Sequence, residues 1–417
     1  MSDYLFPAFI VLMVGLGVAA FFTGRQRAVG VRAEGKTMRS QPSQYGWFMS
    51  LASVGAAIAV ISLCWFVLVI VGSPVPLYSL YFVGLAVALL GMGYGLRYVN
   101  PDFHARNAIE WVIRFALAGA ALISVLTTLG IVVSVVSEAI RFFNMYSFWD
   151  FITGTRWNPG ASFLEAAGRS SSASSRAEFG SLPLFAGTFM IALIAMLVAI
   201  PVGLGAAVYM VEFAPSRVRR LAKPMLEILA GIPTVVYGFF AAITVSPLVV
   251  DMAGLFGLEA SYTNALSPGL VMGIMIIPFI SSLSDDVINS VPDSLRQGAL
   301  ALGVTKGEMI RNVVLPTAAP GIISASLLGV SRALGETMIV VMAAGMSPNL
   351  TGNPLENMTT VTVSIVSSLT GDISFGSAQT LSAFALGLVL FAVTLLLNLV
   401  SVLMIGHFRR KYSLSAL

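Results

Sequence analysis

The sequence predicts an all-α polytopic membrane protein with about nine transmembrane helices, and three observations carry that prediction. Of the 417 residues, 57% are apolar and 10% are charged. A soluble domain carries about 25% charged residues, so the apolar excess cannot all be buried in one water-facing globule. The apolar residues also gather into runs of about 18 or more, each long enough as a helix to cross about 30 Å of hydrocarbon. Most lysines and arginines fall in the stretches between runs, and one orientation places every basic cluster on the same side of a membrane. Those loops account for the net charge of +4, with no need for a nucleic-acid partner.

The first span covers 4–22 and has neither a basic segment before it nor a small-residue cleavage site after it, so it reads as a retained helix. Arg25, Arg27, Arg32, Lys36 and Arg39 follow and mark a cytoplasmic loop, which puts the N-terminus outside. Spans two and three (47–71 and 77–96) are joined by the uncharged SPVP, and Arg97 and Arg106 mark the next internal loop. Span four (111–136) leads to a long outside loop at 137–182, with several aromatics and a serine-rich patch at 169–176 that reads as a flexible insert. Span five (183–211) ends at Glu212 and the basic group Arg217, Arg219, Arg220 and Lys223. Spans six, seven, eight and nine are 226–250, 270–288, 321–345 and 381–405, the last followed by Arg409, Arg410 and Lys411, which puts the C-terminus in the cytoplasm. The natural division is an N-terminal extension of three helices, 1–105, followed by a six-helix core, 106–417.

Metal and nucleotide chemistry find little support. The single cysteine, Cys64, lies in an apolar run, and His104 and His407 are the only histidines. Gly30, Gly35, Lys36 and Thr37 fit the phosphate-loop pattern, but they lie between two membrane spans rather than between a strand and a helix. Gly91 and Gly95 form a GxxxG pair suited to close helix packing. Trp47, Trp111, Trp149 and Trp157 stand near span ends, as interface anchors do.

Two stretches carry functional expectations. Residues 293–320 form an internal amphipathic loop whose central part reads QGALALGVTKGEMIRNVVLP, with apolar spacing at Leu300, Val304, Met309 and Val313. Gly303 permits a turn between two short helices, and Pro316 and Pro320 are expected to stop a simple helical continuation into span eight. Such a segment is either an ordinary interfacial helix or a helix that docks in another protein's groove. In span eight, Arg332 falls near mid-membrane and Glu336 lies four residues on, where one helical face would let them pair. That pair is either a structural bridge between packed helices or part of an anion path, since a planar guanidinium grips oxyanions in bidentate fashion.

The 297–316 segment resembles the EAA loop of ABC importer permeases, in which a short helix inserts into a cleft of the ATPase. Gly303, Leu315 and Pro316 fit that motif, while Gln297, Gly298 and Ala299 stand where the EAA triplet is expected. RALGETM, GIPTVVYGFF, ALALGVT and NMYSFWDFITGTRWNP closely resemble the PstC-type permeases of the phosphate-specific importer, over about residues 111–408. Thr337 favours phosphate over molybdate or sulfate, whose permeases read RALGEF. The resemblance implies a type I ABC importer permease core in a bacterial cytoplasmic (inner) membrane. It implies ATPase coupling through Gln297, Gly298, Ala299, Leu300, Gly303, Leu315 and Pro316, and a substrate pathway at Arg332, Glu336 and Thr337. It further implies a second homologous permease, two ATPase subunits that hold the ATP and Mg, an external phosphate-binding protein, and surrounding membrane lipid. No cofactor or catalysis is then expected on this chain. An ion-coupled secondary transporter is the other class to weigh, although Asp285, Asp286 and Glu336 give it little support as a coupling site. A scaffold or sensor acting through the first three helices is a third.

Overall fold

Nine of the described helical stretches are long and apolar enough to cross a membrane. The computed structural model describes residues 2–72, 77–160, 177–370 and 376–413. The SPVP link, the 169–176 patch and Asp372 lie outside those residues. The chain separates into two compact units, Met1–Gly130 and Ile131–Leu417.

The first unit contains α1 (Ser2–Ala33), α2 (Pro42–Ser50), α3 (Ala56–Val71), α4 (Leu77–Arg97) and the start of α5 (Ala105–Phe143). A single π turn, Leu51–Gly55, joins α2 to α3 without a break in the span. The GxxxG expectation holds: the Gly91 backbone lies against the Ala52 carbonyl, where no Cβ would fit. One turn away, Ser53 Oγ donates to the Ala88 carbonyl at 2.8 Å. Gly30 lies inside α1, Gly35 turns the chain at φ +82°, and Lys36 pairs with Glu34, so the phosphate-loop pattern is an accident of sequence.

The second unit begins with the end of α5 and the short α6 (Phe148–Thr153). Two short strands, β1 (Trp157–Asn158) and β2 (Glu178–Phe179), pair antiparallel beside it. Phe142, Phe151, Trp157 and Phe179 pack edge to face into a small core of their own. Trp157 is therefore buried in protein and is not an interface anchor. Then come α7 (Leu182–Val208), a π turn at Tyr209–Phe213, and α8 (Ser216–Gly231), an amphipathic helix with no buried residue. The sixth span starts only after α8, as α9 (Thr234–Phe240), a π turn at Ala241–Val245, and α10 (Ser246–Leu255).

The centre of this unit is α11 (Leu266–Asn289), the most enclosed span. It packs parallel to α7 through small residues: the Gly273 backbone meets the Ala195 carbonyl and Val198, and Gly203 meets Ile280. After α11 come α12 (Asp293–Ala301), α13 (Lys306–Met309), a π turn at Ile310–Val314, α14 (Leu315–Leu334), α15 (Met338–Ala343), α16 (Val361–Leu369) and α17 (Ala378–Ser413).

Here two expectations are corrected. Pro316 and Pro320 do not interrupt the helix, which runs unbroken from Lys306 to Leu334. The preceding π turn makes the adjustment, with the Leu315 N–H reaching five residues back to the Ile310 carbonyl. Pro316, in the first turn of α14, sits where a missing donor is tolerated. The second correction is that span eight does not continue to 345 but stops at Leu334.

Candidate functional site

The depth of Arg332 follows from the packing of α14 on α11. Gly321 meets Val287 and Gly329 meets Ile280, so the helices run antiparallel and Arg332 is level with residues 276–277, midway along α11. From the start of α11 that is about 17 Å at 1.5 Å per residue, half the hydrocarbon thickness. The guanidinium lies over the Phe279 ring, 5.7 Å from its centroid.

The pairing of Arg332 with Glu336 is not made. Because α14 ends at Leu334, Glu336 belongs to the connection and does not share a helical face with Arg332. Its Oε1 instead accepts the backbone N–H groups of Thr337 at 3.2 Å and Met338 at 3.1 Å, which caps the start of α15. The Glu336 carbonyl accepts from Thr362 Oγ1 at 3.0 Å and so ties α16 to the break. Thr337 begins α15, its hydroxyl near the Gly335 carbonyl. Among the described residues, no carboxylate lies within ion-pairing distance of Arg332.

Arg332 borders a cavity of about 280 Å³, with Lys223 and Glu227 of α8 and Ser281, Ser282 and Asp285 of α11. Asp285 is 2% exposed and is held from α8 by two cations. Arg219 Nη2 donates to both its oxygens, at 3.1 and 3.3 Å, and Lys223 Nζ donates at 3.2 Å. The buried Ser281 hydroxyl has no partner. Sequence reasoning read Arg219 and Lys223 as loop charges. The signal for their role was a pair of carboxylates, Asp285 and Asp286, near the end of an apolar span and a basic helix 62 to 66 residues before the first of them.

Residues 297–316 take the expected shape of two short helices joined by a turn at Gly303. Gln297, Gly298, Ala299 and Leu300 lie on α12, which buries none of its residues. Gly303 turns the chain at φ +85°, a backbone open to glycine and strained for other residues. Thr305 and Glu308 then close a capping box that starts α13. Met309, Ile310 and Val314 pack against Ala207 and Ile288, while Leu302 stays 86% exposed at the tip. Leu315 and Pro316 open α14.

A cluster that sequence reasoning missed anchors this segment. Arg296, 14% exposed, donates to Glu212 Oε1 at 3.0 Å and Asp293 Oδ1 at 3.0 Å. It also donates to the Ile288 and Val291 carbonyls at 2.7 and 2.6 Å. Lys306 donates to the Glu212 carbonyl and lies over the Phe213 ring. One π turn at the end of α7 thus grips both α12 and α13, and Arg296 adds a donor to two carbonyls at and just beyond the end of α11.

A polytopic helical core with a charged mid-depth site and a docking-shaped segment anchored to its central helices defines a membrane transport subunit driven from outside the chain. Residues 199–414, half of the sequence, match the family described as binding-protein-dependent transport system inner membrane component, and the chain belongs to it. Residues 9–75 match a second family, described as phosphate ATP-binding cassette transporter, so the N-terminal extension has relatives of its own. The chain is 37% identical over 266 residues to the phosphate transport system permease protein PstC 1 of Mycobacterium tuberculosis, covering 60% of this chain and 79% of that one. It is 32% identical to the PstC of Mesorhizobium japonicum, over 70% of this chain and 89% of that one. A probable ABC transporter permease of Bacillus subtilis, YqgH, is 31% identical over 68% of this chain and 86% of its own length. Among solved structures, a bacterial ABC transporter involved in alginate import aligns with 72% of this chain and 99% of its own, at 15% identity and a TM-score of 0.48. The protein is accordingly a multi-pass inner membrane permease of an ABC importer.

Proposed function

We propose that this chain is the permease subunit of an ATP-driven phosphate importer, forming half of the translocation path and taking its energy from a separate ATPase. The observation that carries the reading is Arg332, an arginine at mid-depth bordering a cavity that also holds charged and serine side chains, with no carboxylate in ion-pairing distance among the described residues. Such a charge is costly unless water or an anion meets it, and a guanidinium fork suits phosphate oxygens. The names of the relatives, and the description matched by residues 9–75, support phosphate over molybdate and sulfate. Asp285 is already engaged by two cations, which leaves little room for an ion-coupled mechanism.

In this reading a second, homologous permease completes the pore, and two ATPase subunits carry the ATP and Mg. A phosphate-binding protein delivers the anion from outside, and this chain performs no chemistry. The segment at 293–320 faces the cytoplasm, with the N-terminus outside and the C-terminus inside, as the basic loops require. The test is reconstitution of the whole complex in proteoliposomes with binding protein and ATP. Uptake of radiolabelled phosphate is expected, resistant to excess molybdate or sulfate. Equal uptake of either competitor would reassign the substrate. Uptake by the purified chain under an ion gradient alone would overturn the class. For the orientation, a cysteine at Ser40 in a Cys64-free background is expected to resist an impermeant reagent added outside, and its labelling would reverse the first spans.

A further inference from the structure

We propose that the cavity beside Arg332 is a second station for the oxyanion, where Lys223, which shares Asp285 with Arg219, receives phosphate in place of the Asp285 carboxylate. The inference rests on the phosphate-importer reading and adds residues that reading does not use. Asp285 lies eight or nine residues further along α11 than the level of Arg332, which is about 12 to 13 Å along the axis. The cavity thus has a guanidinium at one end and a lysine at the other.

The pairing at the second end is lopsided. The carboxylate is 2% exposed, whereas the Arg219 and Lys223 side chains keep 37% and 42% of their surface open. Each cation has donors to spare: Lys223 uses one of three, and Arg219 reaches Asp285 through a single nitrogen. A phosphate entering from the Arg332 side offers these donors the same kind of acceptor as the carboxylate, with more oxygens. Ser281, fully buried with its hydroxyl unpartnered, borders the same space and supplies a further donor. A buried hydroxyl left without a partner costs free energy, which a polar occupant would relieve.

Two carboxylates oppose an anion here. Glu227 is exposed, and Asp285 is paired with Lys223, which lines the cavity, and with Arg219, which does not; with that outer arginine included, three cations face two carboxylates. Asp285 then acts as a placeholder. It keeps the two cations from holding phosphate too firmly and takes them back when the anion leaves. Weak successive sites of this kind suit conduction, which needs both entry and release.

The experiment uses the complete complex with Lys223→Gln, Asp285→Asn and the two combined. Inorganic phosphate is the probe, and uptake is expressed per assembled complex beside ATP hydrolysis. Lys223→Gln should lower uptake about tenfold while hydrolysis continues, because a charge-assisted contact to the anion is lost. Asp285→Asn should raise the phosphate retained by nucleotide-free complex about tenfold, since nothing reclaims the cations. The double variant restores charge balance, so it should assemble like the wild type and still transport poorly. Recovery of wild-type uptake in the double variant would make the cluster a structural latch and overturn the proposal. So would a Lys223→Gln uptake within about twofold of wild type. Wild-type complex that imports no phosphate would sink the importer reading and this inference together, whereas indifferent variants beside an active wild type sink only the inference.

Discussion

The Arg296 cluster and Arg332 both lie against α11, and they treat charge in opposite ways. Arg296 is nearly enclosed and spends its donors on two carboxylates and two carbonyls. Arg332 borders a cavity, and among the described residues its charge meets the face of Phe279 and no carboxylate. The first arrangement fixes geometry, and its many bonds leave nothing to offer a ligand. The second leaves donors free at a depth where an unpaired charge is expensive, which is sensible only if something passes. Asp285 stands between them, buried itself but paired with two half-open cations. On the proposed reading, the difference separates charges that hold the frame from charges that face the cargo.

The largest expected effect is at Arg332. Arg332→Ala should reduce phosphate uptake per assembled complex about a hundredfold, and Arg332→Lys about tenfold, because charge without the planar fork is an incomplete replacement. Wild-type uptake in the lysine variant would mean that the arginine does not read oxyanion geometry. Glu212→Gln should instead cost stability, about 2 kcal/mol, less than the roughly 3 to 5 of a broken buried pair because Arg296 keeps three other acceptors. Thermal unfolding of the purified complex reads that loss. A Glu212→Gln variant of normal stability but poor uptake would move this cluster to the cargo side of the comparison.

Smaller effects follow from backbone and caps. Gly303→Val forces a β-branched residue into φ +85° and should cost about 1 to 2 kcal/mol locally. The fold should survive, since nothing packs on this glycine, while ATP hydrolysis runs without matching transport. Tight coupling in that variant would show that the turn tolerates distortion. Glu336→Gln should be nearly silent, about 0.5 kcal/mol, because the amide oxygen can still cap α15 and only the charge at the helix start is lost. A severe transport defect there would point to a direct role for the carboxylate in the path. Glu110→Gln, which breaks an exposed pair with Arg106, should leave melting temperature and uptake unchanged.

Much of this was legible in the sequence, for physical reasons that also explain the remainder. Hydrocarbon imposes long apolar runs, so the spans could be read directly, and Gly303 announced the turn between α12 and α13. The break after Leu334 was hidden because RALGETM is made of residues a helix accepts. What stops the helix is a side chain, Glu336, turning to cap the next one. The π turns left no mark either, since each looks like one more apolar residue in a run. The Asp285 and Arg296 clusters join residues 62 to 84 positions apart, a kind of contact that local spacing cannot reveal. Trp157 was misplaced for the same reason, its ring being claimed by Phe151 and Phe179.

The long α5 has a consequence of a different kind. Its 39 residues make a rod of about 58 Å, and the stretch between Arg114 and Glu138 alone is about 36 Å. A hydrocarbon layer of about 30 Å is shorter than that stretch, and a lean of about 30° closes the gap. Nearly every residue from 111 to 131 is exposed in the isolated chain, so wherever lipid covers this stretch no packed neighbour sets that angle. Hydrophobic mismatch sets it instead, and α5 should lie flatter in thin bilayers and stand more upright in thick ones.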